Sequence, residues 1–260
     1  MNYFERLAER SAAIGSLVCV GLDPHFDRTP VEQVAAHNRR VMEATAAFAA
    51  CYKPNIAFYE QFGLAGLKAL QETMAAVPDG IPVIGDIKRG DIGSTASAYA
   101  RAAFDFWGFD AVTLNPYLGL ESVRPFLDYS DKGFYIVCRT SANEGAKDLQ
   151  EARLQSGGRF FEEVARTARS WSPNCGLVVG ATAPAEIRRI REIVPDASLL
   201  IPGIGAQGGD TAAVIAAAGT KPGSLVVSSS RGIYYADDPA IAAREMRDEI
   251  NRAAATMKWK

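Results

Sequence analysis

The fold that this sequence predicts is an α/β fold, a (β/α)8 TIM barrel, and three observations carry it. Eight short apolar runs alternate with longer segments of helical spacing. Most of the runs are continuous rather than alternating, the pattern of strands covered on both faces. Across 260 residues there is no composition shift, linker or low-complexity tract, so a single barrel domain over 1–260 is expected. A doubly wound open sheet is the structural rival.

The runs fall in order at 17–20, 50–52, 81–84, 111–114, 134–138, 177–179, 199–201 and 225–227, most of them rich in Val, Ile and other strand formers. Between the first and second, Val31, Val34, Ala35, Val41 and Met42 lie on one helical face within 31–49. The same spacing recurs in 59–76 through Leu67, Leu70 and Met74, and in 95–107 through Ala96, Ala100, Phe104 and Trp107. It recurs after the fifth run in 158–171, after the sixth in 185–194, after the seventh in 211–218, and after the eighth in 239–256. The segment 140–156 has no such stripe and reads as a long loop, a candidate for movement.

Barrels of this kind place their chemistry at the C-terminal strand ends, and there the polar residues of this chain collect. Asp23 follows the first run and Lys53 the second. Beyond the third comes Asp86-Ile87-Lys88-Arg89-Gly90-Asp91, in which strand alternation puts Asp86 and Lys88 on one face and leaves Asp91 in a loop. Charges held at a strand end are costly unless they neutralise one another, so the two acids favour a protonated lysine and the lysine favours ionised acids. That fixes a proton donor in place. The fifth run leads into Arg139-Thr140-Ser141.

After the seventh run, Pro202-Gly203-Ile204-Gly205-Ala206-Gln207-Gly208 contains a literal G-x-G-x-x-G. A dinucleotide site needs an acid at the end of the next strand, and the eighth run ends instead in Ser228-Ser229-Ser230-Arg231-Gly232. What survives is a glycine-rich loop with N–H groups facing outward at a helix start, and Arg231, whose planar fork suits a phosphate dianion. The 202–209 loop is also a candidate for closing over a ligand.

Lys plus Arg is 28 and Asp plus Glu is 30, so the net charge of −2 offers no global attraction to nucleic acid or to an anionic membrane. No apolar run approaches membrane-spanning length and no signal-like segment opens the chain, which makes a cytoplasmic location the expectation. Cys19, Cys51, Cys138 and Cys175 are far apart and sit in or beside apolar runs, as buried reduced thiols do. His25, His37, Tyr234 and Tyr235 read as structural, packing or surface residues.

Taken together, Val20-Gly21-Leu22-Asp23, Lys53-Pro54-Asn55, the array from Asp86 through Asp91 to Thr95, Arg139-Thr140-Ser141, the 202–208 loop and Ser230-Arg231-Gly232 resemble the orotidine 5′-phosphate decarboxylase family in its order, over nearly the whole chain. The wording is most similar to the longer bacterial branch. One departure is Asn143-Glu144-Gly145 where that branch usually has Asn-Pro-Gly, a difference that bears on the loop's shape. The resemblance implies decarboxylation of orotidine 5′-phosphate to UMP, a lyase step of pyrimidine biosynthesis, with no metal, flavin, pyridoxal or nicotinamide cofactor. It implies Lys88 as the group that stabilises and protonates C6, Asp86 facing the substrate carboxylate, and Lys53 bridging Asp86 and the ribose. By the same resemblance Asp23 binds a ribose hydroxyl, Ser141 the pyrimidine edge, Gln207 base and phosphate, and Arg231 the phosphate together with the Gly232 N–H and the Pro202 loop. Asp91 and Thr95 then serve the partner's substrate in a homodimer with shared sites. Two other readings are a sister barrel, a sugar-phosphate decarboxylase or synthase that uses Mg²⁺, and a non-catalytic binder of nucleotide phosphates.

Overall fold

A computed structural model of the chain describes residues 1–141, 144–204 and 209–256, the side chain of Glu144 excepted. Eight parallel strands form one sheet: β1 (Val18–Gly21), β2 (Ala49–Lys53), β3 (Ile84–Arg89), β4 (Ala111–Leu114), β5 (Gly133–Arg139), β6 (Cys175–Val179), β7 (Leu199–Pro202) and β8 (Leu225–Ser229). Their order, β2-β1-β8-β7-β6-β5-β4-β3, brings the two end strands side by side in a nearly closed barrel. The open-sheet rival is thereby excluded. Where the other neighbours are joined by hydrogen-bond ladders, β2 and β3 meet through isolated bridges, Tyr52 with Val83 and Asn55 with Asp86.

Helices cover the outside: α2 (Val31–Thr45) after α1 (Tyr3–Ile14), then α3 (Ala57–Glu60), α4 (Gly63–Ala75), α5 (Gly93–Arg101), α6 (Leu120–Leu127), α7 (Glu144–Gln150), α8 (Phe160–Trp171), α9 (Pro184–Ile193), α10 (Thr211–Ala218), α11 (Arg231–Tyr234) and α12 (Pro239–Ala255). The expected helix at 95–107 begins two residues earlier and ends as a π-helical turn, Ala102–Phe106. The 140–156 segment is not a bare loop, since α7 lies within it. Asn143 lies outside the described residues, and α7 starts at the Glu144 that marks the departure from the family pattern.

Every strand contributes to an interior cluster through Cys19, Cys51, Ile84, Ala111, Tyr135, Val178, Leu200 and Val226. The floor of this cluster is closed by α1, whose Tyr3 and Leu7 are fully buried. Asn2 starts α1 with a reciprocal cap: its side chain accepts from the Glu5 N–H, and Glu5 accepts from the Asn2 N–H. All four cysteines are free and buried. Among the described residues no helix is long and apolar enough to cross a membrane.

Interior layering positions the site. Side chains two residues on from an inward residue also point inward. One layer above Cys19, Cys51, Ile84 and Ala111 therefore stand Gly21, Lys53, Asp86 and Thr113. The third strand is displaced from the expected 81–84 to Ile84–Arg89, so Asp86 and Lys88 belong to the strand itself. Pro82 has no N–H to give a ladder, and the charged residues stay in the strand because partners on β2 and β4 meet them.

Candidate active site

Asp86 is the hub of this layer. Its carboxylate accepts from Lys53 Nζ at 3.1 Å, from Lys88 Nζ at 2.6 Å and from Thr113 Oγ1 at 2.8 Å. Asp86 and Lys53 are 8% and 5% exposed, whereas the Lys88 side chain is 50% exposed. At 3.1 Å and an effective dielectric of about 20, the Lys53–Asp86 attraction is about 5 kcal/mol gross. Desolvation costs several kcal/mol for each ion, so this pair alone adds little net stability. Burial by itself would raise the Asp86 carboxyl, but Lys53 and then Lys88 outweigh it and hold the acid well below the usual carboxylate range. Burial would likewise push the Lys53 ammonium down, and Asp86 followed by Asp23 reverses this and raises it. Both groups stay charged at neutral pH, with Lys88 reaching out from them toward solvent.

Lys88 has φ +45°, the left-handed region, and is the only non-glycine residue there among those described. Such a conformation costs about 1–3 kcal/mol and persists where surrounding contacts impose it. The β3–β4 ladder is interrupted at this point: Gly85 pairs with Val112, and the next pair is Arg89 with Leu114.

Asp23 lies just past β1 and is 6% exposed. Its carboxylate accepts the Asn55 N–H at 3.1 Å and a hydrogen bond from the Ser230 hydroxyl. A Cβ at Gly21 would fall 2.0 Å from Ser230 Oγ, so glycine at that position leaves room for Ser230 to reach Asp23. Asp23, Lys53, Asp86, Pro202, Gly203 and Arg231 line a cleft of about 290 Å³, and Lys88, which reaches Asp86 from beside it, is not among the lining residues. Arg231 and Gly232 are exposed and begin α11. Arg231 makes no ion pair among the described residues, unlike the buried Arg139 at the end of β5, which pairs with Glu151 at 2.7 Å.

Beyond the glycine-rich loop, the first N–H groups of α10 are capped from within the chain. Asp210 caps α10, its carboxylate accepting from Ala212 N and Ala213 N, and so occupies those donors. Gly205, Gln207 and Gly208 lie outside the described residues. Ser141 follows β5 and packs on Gly180, where a Cβ would come within 2.3 Å of the Ser141 nitrogen. It is not part of the cleft wall. Asp91 and Thr95 also stand apart. The Asp91 carboxylate accepts the Ile92 N–H and forms no ion pair with Lys88, and Thr95 is exposed on α5.

Three contributors have no place in the site on sequence grounds: Thr113 is not singled out, Ser230 enters only as part of a motif, and His25 reads as structural or surface. Thr113 is hidden in an apolar strand, Ser230 precedes the arginine, and His25 lines the cleft with its ring 5.0 Å from that of Phe58. The position of His25, two residues after Asp23, was the available signal.

One family pattern, described as orotidine 5′-phosphate decarboxylase / HUMPS, matches residues 16–246. The chain belongs to this family. It is 45% identical over 270 residues to the orotidine 5′-phosphate decarboxylase of Thermomicrobium roseum, covering 97% of this chain and 96% of that one. To the enzyme of that name from Roseiflexus castenholzii it is 47% identical over 271 residues, with coverage of 97% and 98%. Among solved structures, the OMP decarboxylase of Leishmania donovani superposes with a TM-score of 0.90 at 41% identity, covering 98% of this chain and all of that one. The family barrel thus extends over nearly the full sequence, and the cleft lies where its strands end.

Proposed function

We propose that this chain decarboxylates orotidine 5′-phosphate to UMP and CO2, the last step of pyrimidine biosynthesis. The observation that supports it most directly is the Lys53–Asp86–Lys88 cluster, of which Lys53 and Asp86 line a cleft that is also lined by Arg231, an arginine with no ion pair among the described residues. The family's description covers two activities, and relatives at 44% to 49% identity carry the decarboxylase name.

The chemistry gives the cluster its purpose. When CO2 leaves C6, both electrons of the broken bond remain on an sp² carbon with no carbonyl placed to accept them, so a fixed cation must stabilise the charge. Lys88 supplies that cation. Its ammonium then gives a proton to C6, and the neutral amine regains one from solvent. Asp86 faces the substrate carboxylate and holds Lys88 in register, which makes the field preorganised rather than assembled during the reaction. Lys53 bridges Asp86 and the ribose, and Asp23 takes a ribose hydroxyl. Ser141 and Gln207 recognise the base, while Arg231, the Gly232 N–H and the Pro202 loop grip the phosphate. Binding energy from that grip serves turnover by drawing loops over the reacting carbon. The reaction uses no metal or organic cofactor.

Asp91 and Thr95 reach the substrate of a second copy of the chain, so the active unit is a homodimer with shared sites. Mixing the protein with orotidine 5′-phosphate and following the pyrimidine absorbance tests the activity. Unchanged turnover in EDTA is expected, and loss on chelation would favour the Mg²⁺-dependent sister reaction. For the shared site, Asp91→Ala subunits are exchanged with Arg231→Ala subunits. Each heterodimer then has one intact site, and random pairing makes about half the dimers mixed, so recovery approaches roughly a quarter of wild type. Demonstrated exchange without recovery would mean that Asp91 acts in its own chain.

A further inference from the structure

We propose that Thr113 is the positioning residue that sets the lysine of this site, holding the Lys88 backbone and the Asp86 carboxylate with one hydroxyl; the proposal rests on the decarboxylase reading above. Thr113 lies on β4 between Val112 and Leu114 and is 1% exposed. A hydroxyl has one proton and two lone pairs. An ionised carboxylate only accepts, so the proton of Thr113 Oγ1 goes to Asp86 Oδ1, at 2.8 Å. A lone pair is then left for a donor, and it takes the Lys88 N–H at 3.0 Å.

This N–H needs such a partner. Between the pairs Gly85 with Val112 and Arg89 with Leu114, three residues of β3 stand opposite the single residue Thr113. No ladder carbonyl is in register for Lys88 N, and the side-chain oxygen replaces it. That bond meets the chain at the residue with φ +45°. The left-handed turn points the Lys88 side chain so that Nζ meets the same Asp86 oxygen that Thr113 holds, at 2.6 Å. Without the hydroxyl, the N–H loses its partner and Asp86 loses one of its three donors. The backbone is then free to relax to an ordinary extended φ, which turns the Lys88 side chain away from the reacting carbon. The phosphate grip, built on β7 and β8, is untouched by this change.

Thr113→Val keeps the shape and removes the hydroxyl, and Thr113→Ser restores it. In Thr113→Val, kcat for orotidine 5′-phosphate is expected to fall about 100-fold, the scale of a reacting group misplaced by about an ångström, with KM and UMP affinity little changed. Thr113→Ser is expected to recover most of that loss, with thermal midpoints of both variants recorded alongside. A Thr113→Val enzyme with wild-type kcat overturns the proposal, as does a loss carried by KM or an equal loss in a well-folded Thr113→Ser. Should the valine variant fail to fold, Thr113→Cys, which retains a weak donor, takes its place: an intermediate kcat is expected, and a wild-type kcat overturns the proposal. Wild-type protein is assayed first. If it does not turn over orotidine 5′-phosphate, the decarboxylase reading fails, whereas active wild type with an unaffected valine variant defeats the Thr113 proposal alone.

Discussion

At the ends of β2 and β3 Lys53 and Asp86 are buried and cross-linked to Thr113 and Lys88, whereas past the end of β8 Arg231 is exposed and makes no ion pair among the described residues. The first end is finished before any ligand arrives; the second is left for a ligand to complete. The difference matches the roles proposed for each. Charge that must oppose a developing carbanion is worth most when it is already oriented in a site that excludes water. A phosphate dianion carries its own charge and can order a solvated guanidinium as it binds. Changes at the buried end should therefore affect turnover and folding, and changes at the exposed end should affect binding and, through lost loop closure, turnover, but not folding.

Lys88→Ala is the strongest way to break this contrast. Turnover is expected to fall at least about 1,000-fold, from loss of both the stabilising charge and the proton donor, while UMP still binds. Stopped-flow assays with a UMP titration check it, and substantial turnover would sink the mechanism. Asp86→Asn strands the buried Lys53 ammonium and should cost about 3–5 kcal/mol of stability, measured by urea unfolding. Arg231→Ala should leave stability within about 0.5 kcal/mol of wild type. Its KM should rise about 10- to 100-fold, the worth of a charged hydrogen bond. An unchanged KM would place the phosphate elsewhere.

The smallest effect is in acid. Asp86 titrates lower in the folded protein than in the unfolded chain, so its contribution is complete above about pH 4, the unfolded value, and fades as pH falls toward the folded one. The stability gap between wild type and Asp86→Asn should therefore narrow below about pH 4 and stay constant from there to neutrality. A gap that closes already near pH 6 would point to a different group.

Much of this was legible in the chain because continuous apolar runs report burial on both faces, and strand alternation places Asp86 and Lys88 together. Lys53 and Asp23 followed from the strand ends where they stand. What escaped depends on contacts between segments distant in sequence. Thr113 looks like any strand-forming residue until β3 is laid beside it, and the left-handed φ of Lys88 is a property of that meeting. The helix α1 buries only Tyr3, Leu7 and Ser11, too sparse a stripe to read, although the Asn2 and Glu5 cap was a local sign of it. At α10 the Asp210 cap just past the glycines, which takes the Ala212 and Ala213 N–H groups, also went unread.

The isolated bridges between β2 and β3 make one joint of the cylinder softer than the rest. Only a few backbone bonds cross there, among them Tyr52 N to Pro82 O at 3.0 Å and Asp86 N to Pro54 O at 2.9 Å. The Lys53–Asp86 ion pair spans the same joint from inside. Electrostatics there acts as a fastener where the ladder is thin, so removing either charge should speed amide hydrogen exchange along 52–56 and at Asp86 before it disturbs β7 or β8. A ligand that presses a carboxylate against Asp86 would load that same fastener, and the barrel would register its substrate as mechanical tension in one seam.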